Sequence, residues 1–416
     1  MNKRIDYTFK YNRDLGRHGW LRLTPAYSVK LVEDILGTDT LFPDRSIDSG
    51  RILDPFCGTA TTGIVAAEHG LDCTLYEINP FLYWFATAKG ANYDTQSLDQ
   101  FVSDVTSKFT STGFSRYDKI WIPPMKNIER WWSPRTLQIL GKIHEFIIDE
   151  FGGPSIEINI SNLLWVSFAR LVMECSGADF GHVSVSFKDS CQDYGEKELV
   201  KMLCDILDSI CLSAKEPLQG SVNIIYGDSR DITLDYKINY VITSPPYPNR
   251  ISYIRELRPY MYWLGFLNSG EEAGELDWKA IGGTWGSATS RLSSWECDDG
   301  WSMPACLKKS VESIRNTNSK NGKTMSQYVL KFFYDIYLHL KSLSINLDDG
   351  CELYYVLGNS SFYGNMVNTE TIVCEILNQL GYKSVTSTII RKRNSKKELF
   401  EFLITAQWVE SQSLCV

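Results

Sequence analysis

Apolar positions recur at helical spacing across residues 25–36, PAYSVKLVEDIL, behind a Thr-Pro start that predicts a helix. A polar link follows, then RILDPFCGTATTGIVAAEHG. Here Ile52 and Leu53 read as a short buried strand, 54–62 as a small-residue turn and 63–69 as a helix ending at Gly70. CTLYEINP is a second strand stopped at Pro80, and FLYWFATAKGAN an aromatic helix. Strand, loop, helix, strand, helix is the rhythm of an α/β architecture, a mostly parallel sheet with helices on both faces. The rhythm breaks over 95–215, where the pattern is largely helical and predicts an insertion. It resumes with VNIIYGD (222–228) and INYVITSPPY (238–247). The helix expected over ISYIRELRPYMYWLGFL contains Pro259, which should kink or divide it. Residues 268–325 are Gly/Ser/Asn/Trp-rich and weakly periodic, which predicts a large irregular region. The amphipathic SQYVLKFFYDIYLHLKSL and three strand-like segments, CELYYVLG, SVTSTIIR and LFEFLITAQW, complete the pattern. The chain thus divides into 1–94, 95–215, 216–267, 268–325 and 326–416.

Composition narrows the classes. With 44% hydrophobic and 22% charged residues over 416 positions, the chain can bury a substantial core. No apolar run approaches the roughly 18–20 residues of a membrane span. The stretch MNKRIDYTFKYNRDLGRHGW has no signal-peptide hydrophobic block, so a soluble, cytoplasmic protein with no membrane partner is expected. Eleven scattered cysteines without a CxxC, and only five histidines, give little support to a metal cluster or a disulfide framework. A net charge of −8 argues against a surface that grips nucleic acid everywhere, but not against a local basic face. RKRNSKK (391–397) is either such a face or a solvated loop between strands. Trp131 and Trp132 could stack on bases, but packing anchors are the favoured reading.

The chemistry sits at predicted strand ends, where open α/β sheets bind ligands. In DPFCGTATTG the small residues allow close backbone approach, and the next helix offers free amide donors. Glu77 ends the following strand 23 positions after Asp54, close to the roughly 20-residue offset at which an acid meets ribose hydroxyls. GxGxxG is absent, so an adenosine ligand without a pyrophosphate fits better than a dinucleotide. YGDSRD places Asp228 at a third strand end, available to an adenine amine. Caps or turn formers are the less favoured alternative for Asp54 and Asp228. In VITSPPYPNR the prolines fix the backbone of a pre-organised loop. Ser244 and the Pro245 carbonyl can act there as acceptors beside the flat face of Tyr247. That combination suits an exocyclic amine on a planar ring.

Together these stretches resemble the S-adenosylmethionine-dependent DNA amino-methyltransferases. DPFCGTATT is similar to the family's cofactor loop, which implies contacts from Asp54, Pro55, Phe56, Gly58 and Thr59. YEINP is similar to the segment of the ribose-binding acid, Glu77, with Asn79 beside it, and GDSRD adds Asp228. TSPPY, the most specific stretch, resembles the catalytic motif and implies Ser244, Pro245, Pro246 and Tyr247. The resemblance covers 15–90, 220–265 and 350–410 and implies a Rossmann-like methyltransferase fold with S-adenosylmethionine as cofactor. Residues 1–94 are then the cofactor half, 216–267 the catalytic half and 326–416 the remainder. RHGWLRLTPAYSVKLV resembles the segment that walls off the methionine end. The loop departs from the family's FxGxG at Ala60. A positive φ would cost alanine about 1 kcal/mol, so an adjusted loop with binding retained is expected.

The sequence has no Pro-Cys dipeptide, which disfavours the covalent route to a ring carbon and implies direct methylation of a flipped-out base amine. Ser at the first motif position leans toward cytosine N4 in this family, with adenine N6 the alternative. Double-stranded DNA is the implied partner, held by Arg250 and Tyr253 after the catalytic loop and by Arg391, Lys392, Arg393, Lys396 and Lys397. Arg255 and Arg258 read equally as a helix face with internal ion pairs. Target recognition falls to 95–215 or 268–325, and a restriction-modification setting would add a cognate endonuclease as partner. An RNA or release-factor amino-methyltransferase and a non-catalytic DNA-binding subunit remain alternatives.

Overall fold

The computed structural model describes residues 7–8, 12, 14–21, 28–37, 46–111, 117, 120–179, 186–249, 252–283, 287–298, 300–394 and 398–410. After α1 (Val29–Leu36) the chain forms β1 (Arg51–Asp54), α2 (Thr61–Glu68), β2 (Asp72–Glu77) and α3 (Pro80–Gly90). Next come α4 (Thr95–Ser111), α5 (Pro134–Phe151) and α6 (Ser161–Glu174), a short ribbon of β3 (Ala178–Asp179) and β4 (Ser186–Phe187), and α7 (Glu196–Ala214). Strands β5 (Val222–Tyr226) and β6 (Ile238–Thr243) precede α8 (Tyr253–Trp263), α9 (Gly270–Lys279), α10 (Ser287–Arg291), α11 (Ala305–Arg315) and α12 (Gly322–Ser344). The last elements are β7 (Leu347–Gly358), a ribbon of β8 (Ser360–Phe362) and β9 (Asn365–Val367), α13 (Thr369–Gln379), β10 (Lys383–Asn394) and β11 (Leu399–Gln407).

Seven strands form one sheet in the order β10-β11-β7-β6-β1-β2-β5. The pairings from β7 through β5 are parallel, while β11 is antiparallel to both β7 and β10. Alternation along each strand feeds two cores. Leu53, Val241, Leu353 and Tyr355 pack with α12 and α13; Ile52, Leu75, Ile242, Tyr354 and Val356 pack with α1 and α2. The result is a Rossmann-like α/β fold with helices on both faces.

The helices of 95–215 do not pack apart from this frame. Trp131, Trp132 and Trp165 share a hydrophobic cluster with Phe81 and Trp84 of α3 and Tyr260 and Trp263 of α8. Trp131 and Trp132 are 2% and 0% exposed, which upholds the packing reading. Trp132 meets Trp263 edge-on and donates from Nε1 to the Val172 carbonyl at 2.8 Å.

Pro259 lies inside α8, which runs undivided from its Ser252 cap, so the proline does not split the helix. It has no N–H to offer the Arg255 carbonyl one turn earlier. Residues 268–325 hold α9, α10, α11 and the start of α12; their buried apolar positions are few, so their period was faint in sequence. Among the described residues no helix is long and apolar enough to cross a membrane.

Candidate active site

Strand order reverses between β1 and β6, and the crevice beyond the carboxyl ends at such a point is where open α/β sheets bind ligands. Asp54, Glu77 and Thr243 are the last residues of β1, β2 and β6, and Asp228 lies two residues past β5. Asp54 and Thr243 meet across the reversal. Thr243 Oγ1 donates to Asp54 Oδ1 at 2.5 Å, and the Phe56 amide donates to the same oxygen at 3.0 Å. Asp54 is wholly buried, and its Oδ2 makes no hydrogen bond of ordinary geometry. Burial pushes this carboxyl up to about 6.

The loop from Asp54 to Ala60 is clamped from neighbouring elements. Glu77 Oε2 accepts from the Gly58 amide at 2.9 Å and Oε1 from the Asn79 amide at 2.8 Å. Burial raises the Glu77 carboxyl to about 7, and each oxygen keeps a further lone pair. Lys89 of α3, which is 1% exposed, reaches back and donates to the Thr59 carbonyl at 2.7 Å. Burial lowers its ammonium to about 7. Arg17 in turn holds the end of α3 through the Lys89 and Ala91 carbonyls at 2.7 and 2.5 Å.

Gly58 and Ala60 both take positive φ, +52° and 60°. The adjustment expected at Ala60 is therefore not made: alanine adopts the glycine-like conformation at about 1 kcal/mol. Hydrogen bonds on both sides hold it there, from its amide to the Cys57 carbonyl (2.8 Å) and from the Ile64 amide to its own carbonyl (3.0 Å). Pro55 is buried beneath the loop, and Thr59 Oγ1 lies 3.2 Å from Thr61 Oγ1. Asn79 is committed as a helix cap, its Oδ1 accepting from the Phe81 and Leu82 amides at 2.9 and 3.3 Å.

Asp228 is not a free carboxylate. Arg230 grips it through Nε at 3.0 Å and Nη2 at 2.6 Å, and also reaches Asp335 at 2.9 Å and the Lys279 carbonyl at 2.6 Å. Burial alone would raise the Asp228 carboxyl; Arg230 outweighs it and leaves the group below its ordinary value. His339 was invisible in the sequence. Its Nδ1 is 2.8 Å from the Ser229 carbonyl and its Nε2 2.7 Å from the Tyr355 hydroxyl, and its ring meets Phe56 edge-on at 4.7 Å. A carbonyl only accepts, so Nδ1 carries the hydrogen and Tyr355 donates to Nε2. Burial pushes the imidazole down to about 4, so it is neutral at pH 7.

In the loop after β6, Ser244 Oγ donates to the Val356 carbonyl at 3.1 Å. Its hydrogen is committed there and the Tyr247 hydroxyl lies against the same oxygen, which leaves lone pairs as all it can present. Pro245 is buried, and Pro246 and Tyr247 are half-buried. The Tyr253 hydroxyl lies against the Tyr247 backbone amide. Among the cations expected on phosphates, Arg391 instead makes a two-pronged pair with Glu401 at 2.5 and 2.9 Å. Lys392 is 3.4 Å from Glu398, and the Arg393 guanidinium lies over the Tyr247 ring, 5.2 Å from its centroid. Arg255 is exposed and Arg258 half-buried, beside Trp131 and Phe187. Arg250, Lys396 and Lys397 fall outside the described residues.

Fold and site together define a doubly wound α/β protein whose polar loops gather at the β1/β6 reversal. No protein-family model matches the sequence, and no curated protein matches it.

Proposed function

We propose that this chain is an S-adenosylmethionine-dependent DNA methyltransferase acting on the exocyclic N4 amine of a flipped-out cytosine, with adenine N6 as the alternative acceptor. The observation that carries the reading is the Thr243–Asp54 hydrogen bond. It joins the loop suited to a nucleoside with a cationic centre to the loop suited to a base amine, so both ligands would meet at one place. The residues present fit the cofactor. Glu77 has lone pairs left for ribose hydroxyls, the buried Asp54 Oδ2 offers negative charge, and at Gly58 a Cβ would meet only the Phe56 carbonyl, at 3.8 Å. When bound, S-adenosylmethionine supplies an electrophilic sulfonium methyl.

The chain's own part is positioning, which can supply most of such a rate. Tyr247 stacks on the base. Ser244 Oγ and the Pro245 carbonyl accept from its amine and localise the nitrogen lone pair for in-line attack. With the cofactor held at Asp54, Gly58 and Glu77, the amine would take its methyl group as the C–S bond breaks, and the thioether product would leave. The surplus amine proton would pass to water, since Ser244 Oγ and the Pro245 carbonyl only accept hydrogen bonds. The setting would be the methylation arm of a restriction-modification or related defence system.

Isothermal titration with S-adenosylmethionine, followed by mass spectrometry of digested DNA after incubation with the protein and cofactor, tests the reading. N4-methylcytosine is the expected product. N6-methyladenine alone would overturn the base, methylation of tRNA but not DNA the substrate class, and no heat of binding the enzyme itself.

A further inference from the structure

The guanidinium of Arg393 does not reach outward from the basic run; it covers one face of the Tyr247 ring. Its Nη2 donates to the Asn359 carbonyl. Asn359 is itself fixed at the turn end of the β10–β11 hairpin: its Nδ2 donates to the Glu398 carbonyl at 3.1 Å and its Oδ1 accepts from the Phe400 amide at 2.8 Å. Gly358 closes the assembly. A Cβ there would stand 2.7 Å from Arg393 Cζ and 2.8 Å from Tyr247 Cδ2, so cation, ring and strand backbone meet with no room for a side chain. Two residues earlier on the same strand, Val356 accepts from Ser244. One strand end therefore sets both the acceptor and the ring.

We infer that Arg393 is a positioning residue. It backs the Tyr247 ring, fixes its plane and leaves one face for a nucleobase. This rests on the proposed function for what stacks on that face, but not for the bracing itself. A planar guanidinium can lie flat on the ring while its edge donates to Asn359, and a lysine ammonium can do only the first of these.

The test uses the full chain carrying 3-fluorotyrosine at position 247, with thermal melting to confirm that each variant folds. In Arg393→Met the fluorine resonance should move and sharpen as the ring is released. With saturating S-adenosylmethionine and unmodified genomic DNA, kcat should fall on the order of 100-fold, the effect of a small misplacement of a reacting group. Affinity for S-adenosylmethionine should not change. Arg393→Lys should recover part of both losses, and Gly358→Ala should reproduce both from the other side.

A wild-type resonance and kcat in Arg393→Met, with a raised KM and a salt slope shallower by about one, would make Arg393 a phosphate contact and overturn the inference. Should the wild-type protein methylate no nucleic acid, the functional reading fails by itself. The fluorine comparison would still decide whether Arg393 holds the ring.

Discussion

The loops after β1 and β6 start side by side, joined by Thr243 and Asp54, yet they are held by opposite means. The first, 54–60, is small and flexible in composition and is fastened by side chains from other elements: Glu77 on the Gly58 amide and Lys89 on the Thr59 carbonyl. The second, 244–247, carries its stiffness in its own prolines and is completed by packing, with Arg393 over Tyr247 and Gly358 against both. The difference teaches where each is vulnerable. A loop built on buried ionisable groups responds to protons and fails when one group goes. A loop built on covalent restriction answers to shape.

Asp54→Ala should break this contrast most severely. It strands the Thr243 hydroxyl and the Phe56 amide, at about 1–3 kcal/mol for each donor left buried. Calorimetric binding of S-adenosylmethionine should vanish and urea unfolding should show the loss. Unchanged stability would mean that the two loops are not joined through this carboxyl.

Lys89→Met should come next, costing about 1–3 kcal/mol for the unserved Thr59 carbonyl, and here pH sharpens the comparison. Burial brings the folded Lys89 ammonium down to about 7 from the 10.5 of a free side chain. Between those values the unfolded chain binds the extra proton, so stability rises with pH across the window and has no slope from this group below it. The stability gap between wild type and Lys89→Met should therefore widen from neutral pH toward about pH 10, by at most about 1.4 kcal/mol per unit. A constant gap contradicts a buried ammonium.

Pro246→Ala should cost about 0.4–1 kcal/mol through the unfolded chain, with no added slope in that pH range. A loss matching that of Lys89→Met would show that packing, not restriction, holds the second loop. Arg391→Ala should do least. Its charge is already matched by Glu401, so the salt dependence of DNA binding should change by well under one counterion. A change of about one would return Arg391 to the phosphates.

Much of this was legible in the sequence because it is local. Short β-rich runs ending in Asp54, Glu77 or the prolines announce both strands and loops, and the folded sheet puts those ends at one reversal. The remainder depends on distance along the chain. Lys89, Arg230 and His339 act on partners that only the sheet brings near, and each reads in isolation as an ordinary helix or turn residue. The basic run misleads for the same reason. Its composition suggests solvent or phosphate, yet Arg391 stands opposite Glu401 across the ladder and Arg393, at an irregularity of β10, lies over Tyr247. The helices between 268 and 325 were lost to weak period: α9 buries only Ala273, Gly274 and Asp277.

Strand β7 pairs with β6 without interruption from Val241–Leu353 to Thr243–Tyr355, while its irregularity lies between the Ile238–Leu347 and Tyr240–Glu352 pairs. The slack is thus confined to the end remote from the candidate site. An extra residue near Gly350 could be absorbed as a larger bulge. One inserted between Leu353 and Tyr355 would turn every later side chain to the opposite face, taking Tyr355 from His339. Descendants of this gene can drift in length at one tip of that strand but must count residues faithfully at the other.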